Sequence, residues 1–284
     1  MAKVKNKISR QTSDNLSLQV WYRKELLKMV REMSAKTEKE LARAWKGALP
    51  KMRLEAEQAA GEPMANDSMN GIAYDSSPAV ELTKVIKKLR KYFDTHFQEL
   101  GEKVSKKFAA RAKNGADVSL KSILKEEGFT VDFRMTRQLN DILQATVAEN
   151  VNLIKSIHTM YFDQVQTVIM QAVKNGRDME YIRKELTDRF GVSERKAKII
   201  ARDQTNKAMQ TISRARALET GITQARWVHI PGAKTSRETH KHFDGKPFDL
   251  NKGMYDKDVN KWVMPGELIN CNCRFRLIVP SVEK

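Results

Sequence analysis

The sequence predicts a mainly α-helical N-terminal region built from long amphipathic helices, followed by a small C-terminal α+β domain. The first observation behind this fold class is the absence of proline between Ala79 and Ile230, a stretch rich in residues that favour helices. The second is a change in composition after residue 226, where prolines, two of the four tryptophans and three of the five histidines are concentrated. A chain of 284 residues is also long enough to bury a sizeable core.

Taken in order, residues 1–58 predict a basic helical region, because apolar side chains recur on roughly one face between residues 17 and 49. Residues 59–78 are polar and interrupted by glycine and proline, which predicts a loop or linker. Residues 79–190 predict a helical domain. Within it we expect a helix break at Asn114-Gly115 and a long amphipathic helix from Arg134 to Lys174.

Residues 191–284 predict a helix followed by the small α+β module. Asp178 is placed to cap one helix, Gly191 to end it, and Ser193 to cap the next. This pair of helices is either a packed hairpin or a helix–turn–helix that reads DNA. Beyond it, residues 225–230, 246–248 and 274–279 predict strands, and residues 239–243 predict one helical turn.

The net charge of +17 indicates that the protein binds an acidic partner such as nucleic acid. The alternative is that it is a basic protein with no nucleic-acid role. Residues 1–60 carry +7 and residues 191–284 carry +8, so the excess lies at the two ends. Trp227 and Trp262 are either base-stacking surfaces or buried anchors of a small core. The candidate DNA contacts are Arg195, Lys198, Arg202, Arg226, Arg274 and Arg276.

Several classes of protein are excluded by what the sequence lacks. No stretch approaches the ~20 apolar residues of a membrane span, so we expect no membrane partner. The glycine-rich phosphate loops of ATPases and Rossmann enzymes are missing as well. The two cysteines, Cys271 and Cys273, are separated by one residue, so a disulfide between them would be strained. A chain with so few cysteines is not stabilised by a disulfide framework, which favours synthesis in a reducing cytoplasm.

Two histidines and both cysteines could form a metal site. His240, His242, Cys271 and Cys273 offer the nitrogen and sulfur ligands that zinc prefers, with His242 the weakest candidate. The alternative is that the cysteines pack the core and the histidines are ordinary turn residues. The enzymatic alternative is that the protein is a metal-dependent nuclease or DNA-processing factor whose site is centred on His240, Cys271 and Cys273. Its carboxylates would come from Asp244, Asp249 and Glu267.

The stretch from Gly191 to Val279 resembles the C-terminal domain of the phage Mu F-like minor head protein family, which acts in head morphogenesis. The resemblance is a series of short matches along a helix, a strand, an Arg–His–Asp-Gly pattern and a closing Cys-x-Cys-Arg element. The matching residues are Arg202, Asp203, Trp227, Arg237, His240, Asp244, Gly245, Cys271, Cys273 and Arg274.

The resemblance implies a non-enzymatic minor structural protein of a tailed-phage head. It implies contact with the portal protein or the major capsid protein, a place in the capsid interior of the virion, and assembly in the host cytoplasm. The basic ends of the chain would then touch packaged DNA without regard to its sequence. A stand-alone nucleoid or RNA-binding protein is a further alternative, and zinc is the only cofactor that the residues suggest.

Overall fold

The computed structural model describes residues 5–12, 15–59, 78–175, 178–231 and 236–281. Four long helices carry most of the chain, and they are α1 (Leu16–Ala59), α2 (Pro78–Glu126), α3 (Arg137–Lys174) and α4 (Met179–Glu219). The remaining elements are β1 (Lys5–Gln11), β2 (Gln224–Val228), α5 (Glu238–Phe243), β3 (Pro247–Asp249), β4 (Met254–Asp256), β5 (Lys261–Val263) and β6 (Arg274–Ser281). The mainly α-helical fold with a small strand-containing C-terminal region is confirmed. In the described ranges, no helix combines the length and apolar character that crossing a membrane requires.

The chain divides into two compact units, each assembled from separate stretches of sequence. The first contains Met1–Lys24, Glu102–Val151 and Ile199–Lys284, and the second contains Glu25–Gly101 and Asn152–Lys198. The sequence-based division at residues 58, 78 and 190 follows the chain instead and stays a prediction. Most of its linker, residues 60–77, lies outside the described residues.

The second unit is a helical core in which aromatic side chains from α2 and α3 pack together. The ring centroids of Phe93 and Phe162 lie 5.8 Å apart, and the rings of Phe93 and Phe97 meet edge to face at 6.1 Å. All three rings are fully buried, which follows from their helical spacing on apolar faces. Asp178 caps α4 as predicted, since its carboxylate accepts a hydrogen bond from the backbone N–H of Tyr181 at 2.9 Å.

The first unit contains a four-stranded antiparallel sheet in the order β1-β6-β2-β3, and β4 and β5 pair separately as a hairpin. Alternate residues of β2 and β6 face the core, among them Trp227, Phe275 and Leu277. The last turns of α2 pack on the same core through Leu120 and Leu124. Strands β2, β3 and β6 and helix α5 correspond to the predicted elements, whereas β4 and β5 were not predicted.

Strand β1 corrects the prediction that the chain begins as a helix. It pairs with β6 through Lys5–Ser281, Lys7–Val279 and Ile8–Ile278, so opposite ends of the chain share one sheet. The sequence of β1, KNKISRQ, has no alternating apolar pattern, because the strand lies at the edge of the sheet. Basic side chains on an edge strand also discourage pairing with other chains.

Two predicted helix breaks are wrong, because α2 runs through Asn114-Gly115 and α4 runs through Gly191. A glycine inside a helix costs only about 1 kcal/mol, which burial of the flanking residues outweighs. At Gly115 the missing side chain has a packing role, since a Cβ there would lie 2.3 Å from the amide nitrogen of Asn15, the residue that caps α1. The predicted helix–turn–helix is therefore one continuous helix.

A buried ion pair joins α2 and α4 within the first unit. The guanidinium of Arg216, which is fully buried, donates two hydrogen bonds to the carboxylate of Asp117 at 2.8 and 3.2 Å. It also donates to Glu219 at 2.7 Å and to the backbone carbonyl of Arg134 at 2.6 Å. Its face lies 4.8 Å from the ring centroid of Phe133. Every side of this buried cation is thus occupied.

Candidate functional site

His240, Cys271 and Cys273 come together in the first unit, and one ligand atom from each lies within 4.8 Å of the others. The Nδ1 atom of His240 is 3.4 Å from the Sγ of Cys271 and 3.6 Å from the Sγ of Cys273. All three side chains are buried. The Nδ1 of His229 lies 3.7 Å from the Sγ of Cys273, at the edge of this three-residue cluster.

The orientation of the His240 ring is fixed by a buried carboxylate and by two aromatic rings. Its Nε2 atom lies 3.1 Å from the Oδ2 of Asp256, a fully buried residue at the end of β4. The other oxygen of Asp256 accepts a hydrogen bond from the backbone N–H of Asp258 at 2.9 Å. Trp227 meets the imidazole edge to face at 5.2 Å, and Phe243 stacks on it at 5.8 Å. With Nε2 directed to the carboxylate, Nδ1 is left facing the sulfurs.

The pKa values of the two thiols are shifted in opposite directions. The hydrogen bond from Cys273 lowers the pKa of Cys271 to about 4, with His240 acting in the same direction and burial opposing both. The hydrogen bond to Cys271 and burial raise the pKa of Cys273, while the indole of Trp227 acts against them. These shifts favour the thiolate at Cys271, the form in which cysteine binds metals and attacks electrophiles.

Helix α4 holds the turn that presents the cysteines. Asn270 adopts a left-handed conformation with φ 60°, and its backbone N–H donates to the carboxylate of Asp203 at 2.6 Å. Arg202 donates to the side-chain oxygen of Asn270 at 2.9 Å, and Asn206 donates to the carbonyl of Cys271 at 2.7 Å. Three polar residues on one stretch of α4 therefore fix the segment before β6.

Part of the chain that carries this arrangement matches a known protein family. Residues 163–276 match the family model described as phage Mu protein F like protein. This part of the chain therefore resembles the phage Mu F-like family. The predicted resemblance is confirmed, and the match begins earlier in the chain than the motifs that indicated it.

One relative is an uncharacterized protein of Haemophilus influenzae, which is 27% identical over 259 residues. The aligned region covers 90% of this chain and 52% of the relative, so the chain spans about half the length of that protein. No solved structure matches the chain significantly.

The Mu F-like Asp-Gly pair forms a turn beside the cluster. The carboxylate of Asp244 accepts a hydrogen bond from the backbone N–H of His229 at 2.8 Å. Gly245, with φ 73°, donates its N–H to the carbonyl of Trp227 at 2.9 Å. Arg237 reaches the carbonyl of Ile269 at 3.3 Å. The Mu F-like motif residues thus hold together the segments that carry the imidazoles and the thiols.

The structure does not bring the predicted ligand His242 to the cluster of His240, Cys271 and Cys273. His242 is exposed, and its Nδ1 contacts the carbonyl of Glu238 at 2.8 Å, so it lies outside the group. His229 takes the place beside Cys273, and Asp256 supplies the support of His240. Sequence reasoning missed both, although His229 lies within the predicted strand 225–230 and among the clustered histidines. Asp256 belongs to the unpredicted β4, and no motif marked it.

The carboxylates proposed for a nuclease are engaged elsewhere. Asp249 accepts a hydrogen bond from the backbone N–H of Asn251 at 2.7 Å, and Glu267 accepts one from Met264 at 2.8 Å. Asp244 holds the His229 backbone, as described above. Because Nε2 of His240 is bound to Asp256 and Nδ1 faces sulfur, this imidazole has no nitrogen directed toward an activated water. The arrangement favours a structural role.

Three of the candidate DNA contacts share one face of the four-stranded sheet. Arg226 on β2 lies directly opposite Arg276 on β6, and Arg274 is two residues from Arg276 on the same strand. Residues that face each other across antiparallel strands lie on the same side of the sheet, as do residues two apart. Arg202 is half-buried on α4, while Arg195 and Lys198 are exposed on the part of α4 that belongs to the second unit.

Proposed function

We propose that this chain is a minor structural protein of a tailed-phage head that acts in head morphogenesis. The observation that carries the proposal is the Mu F-like match over residues 163–276. It is supported by a cluster whose histidine and cysteines are buried and held by the fold, since a catalytic group would have to be reachable by substrate. The protein would be made in the host cytoplasm and incorporated into the capsid interior.

The partner proposed for assembly is the portal protein, with the major capsid protein as the second surface. We expect the full chain to retain purified portal protein in a pull-down. The experiment is run after nuclease treatment and in enough salt to dissociate nucleic acid, because a shared DNA molecule could otherwise bridge two basic proteins. Retention of neither portal nor capsid protein under these conditions would contradict a role at the portal.

We further propose that the sheet face formed by Arg226, Arg274 and Arg276 contacts the phosphates of packaged DNA. Arg226 and Arg276 are directly opposed, and like charges in that position destabilise a sheet unless an anion lies between them. Among the described residues, neither of these two forms an ion pair. Arg274 also lines a cavity of about 160 Å³ with Arg202, Asn206 and Asn272, whose guanidinium and amide groups suit a phosphate.

A salt titration of DNA binding tests this face. We expect the chain to bind duplexes of unrelated sequence equally, with an affinity that falls steeply as salt rises. In the R226Q/R276Q variant the slope of log K against log salt should decrease in magnitude by about 2, because two phosphate contacts are lost. Fluorescence anisotropy with labelled random duplexes measures both quantities.

The matched control is the R43Q/K84Q variant, which removes the same charge at exposed sites. Arg43 and Lys84 each already pair with a glutamate one turn away, at 3.0 and 3.1 Å. Its slope should stay close to that of the parent. Absence of binding at low salt, affinity unchanged up to several hundred millimolar salt, or equal losses in both variants would contradict the assignment.

A further inference from the structure

One ring nitrogen of His240 contacts two sulfurs. Its Nδ1 atom faces the sulfurs of both Cys271 and Cys273, at 3.4 and 3.6 Å. Because the unprotonated nitrogen of a neutral imidazole has one lone pair, it accepts a hydrogen bond from one thiol at a time, although both sulfurs face it. A cation between the three atoms would bind all of them at once.

The distances in the cluster correspond to the edges of a tetrahedral metal site. Zinc binds sulfur at about 2.3 Å and imidazole nitrogen at about 2.0–2.1 Å, so tetrahedral geometry separates a nitrogen from a sulfur by about 3.6 Å. The two distances from His240 to the sulfurs, 3.4 and 3.6 Å, match this separation. His229 lies 3.7 Å from Cys273 but is not within 4.8 Å of all the other ligand atoms, so its side chain would have to move inward to bind the same ion. A cavity of about 10 Å³ touches all four residues, close to the volume of one water-sized sphere.

The surroundings of the cluster are also those of a metal centre. The Nε2 of His240 lies against the buried carboxylate of Asp256 at 3.1 Å, and metal-bound imidazoles commonly donate their second N–H to such a carboxylate. The cysteines are presented by a turn that Asp203 and Asn206 of α4 hold in place. Hydrogen bonds from neighbouring groups therefore orient the donor atoms, which a simple packing contact would not require.

We propose that His240, Cys271 and Cys273 bind one structural zinc ion, and that His229, which lies beside Cys273, moves in as the fourth ligand when the ion binds. Two thiolates and two imidazoles are a donor set that zinc prefers and that magnesium and calcium do not. With His229 as the fourth ligand the coordination sphere would be closed, which distinguishes a structural zinc from a catalytic one with an open position. The ion joins the end of β2, helix α5 and the segment before β6, elements that are each too short to be stable alone.

Elemental analysis and cobalt substitution test the site, and neither depends on the role in the phage head. We expect one zinc per full-length chain after purification. Replacing zinc with cobalt should give the thiolate-to-metal charge-transfer band and intense visible bands of tetrahedral cobalt. Chelation should lower the melting temperature, and added zinc should restore it. The C271S/C273S variant should retain no zinc, and D256N should bind it about 10–100-fold more weakly.

The H242A variant is the matched control, because His242 lies in the same helix and outside the cluster. It should keep one zinc with unchanged affinity, whereas H229A should lose affinity and the tetrahedral spectrum. The cobalt spectrum of the unmodified chain keeps the test decisive even if the cysteine variant does not fold. Three results would overturn the proposal: a metal-free protein whose melting temperature does not respond to zinc, a Cys271–Cys273 disulfide without metal, or zinc loss in H242A alone.

Discussion

Replacing Arg216 with methionine should lower the free energy of unfolding by about 3–5 kcal/mol, because it removes one partner of a buried ion pair. Asp117 and Glu219 would lose their hydrogen bonds to the guanidinium, and the carbonyl of Arg134 would lose its donor. Methionine has a similar length, so the effect of the charge is separated from that of lost volume. Denaturant unfolding followed by circular dichroism measures the change.

The matched control is R10M, which makes the same chemical change at an exposed ion pair. Arg10 pairs with Glu126 at 3.0 Å, but 45% of its side chain is exposed. Water therefore screens the pair, and the loss should stay below about 1 kcal/mol. Equal costs for R216M and R10M would contradict the view that Arg216 is a central stabilising contact of the first unit.

Replacing Trp227 with alanine should cost about 3–5 kcal/mol, the usual range for deleting a fully buried aromatic ring. Trp227 packs edge to face on Phe243 at 5.1 Å, on Phe248 at 5.7 Å and on His240 at 5.2 Å. The sequence left open whether Trp227 stacks on bases or anchors the core. Its burial favours the core, because a fully buried indole offers no surface on which a base could stack. The same unfolding measurement applies.

Trp262 provides the comparison, since it is 47% exposed on the β4–β5 hairpin. There it contacts Tyr255 at 5.7 Å and the ammonium of Lys252 at 4.0 Å. The W262A variant should lose about 1 kcal/mol or less. If W227A were instead nearly neutral for stability and weakened DNA binding, the assignment of Trp227 to the core would be wrong.

The long helices could be predicted from the sequence, because their apolar residues recur at helical spacing and proline is absent. Whether these helices are interrupted could not be predicted. Asn114-Gly115 and Gly191 favour a loop locally, but the helices continue through them. Whether a glycine ends a helix depends on what packs around it, and at Gly115 the side chain of Asn15 comes close from another element. Strand β1 is the extreme case, because its partner β6 lies at the far end of the chain.

The candidate site was predicted in part for a similar reason. His240 and the two cysteines stand out as residue types with metal chemistry, and a family pattern joins them. The choice between His229 and His242 depends on which face of α5 meets the core, and His242 is on the exposed face. The role of Asp256 can be recognised only from the fold, because the β4–β5 hairpin places its carboxylate against His240.

The protein composition of purified phage heads tests the central claim most directly. Heads are purified through a density gradient from cells in which a phage encoding this chain is induced, and their proteins are quantified by mass spectrometry. We expect the chain to co-purify with DNA-filled heads, in few copies relative to the major capsid protein, and to stay protected from added protease until the heads are opened. Its absence from heads that contain portal and capsid protein, with all of it free in the lysate, would contradict the account.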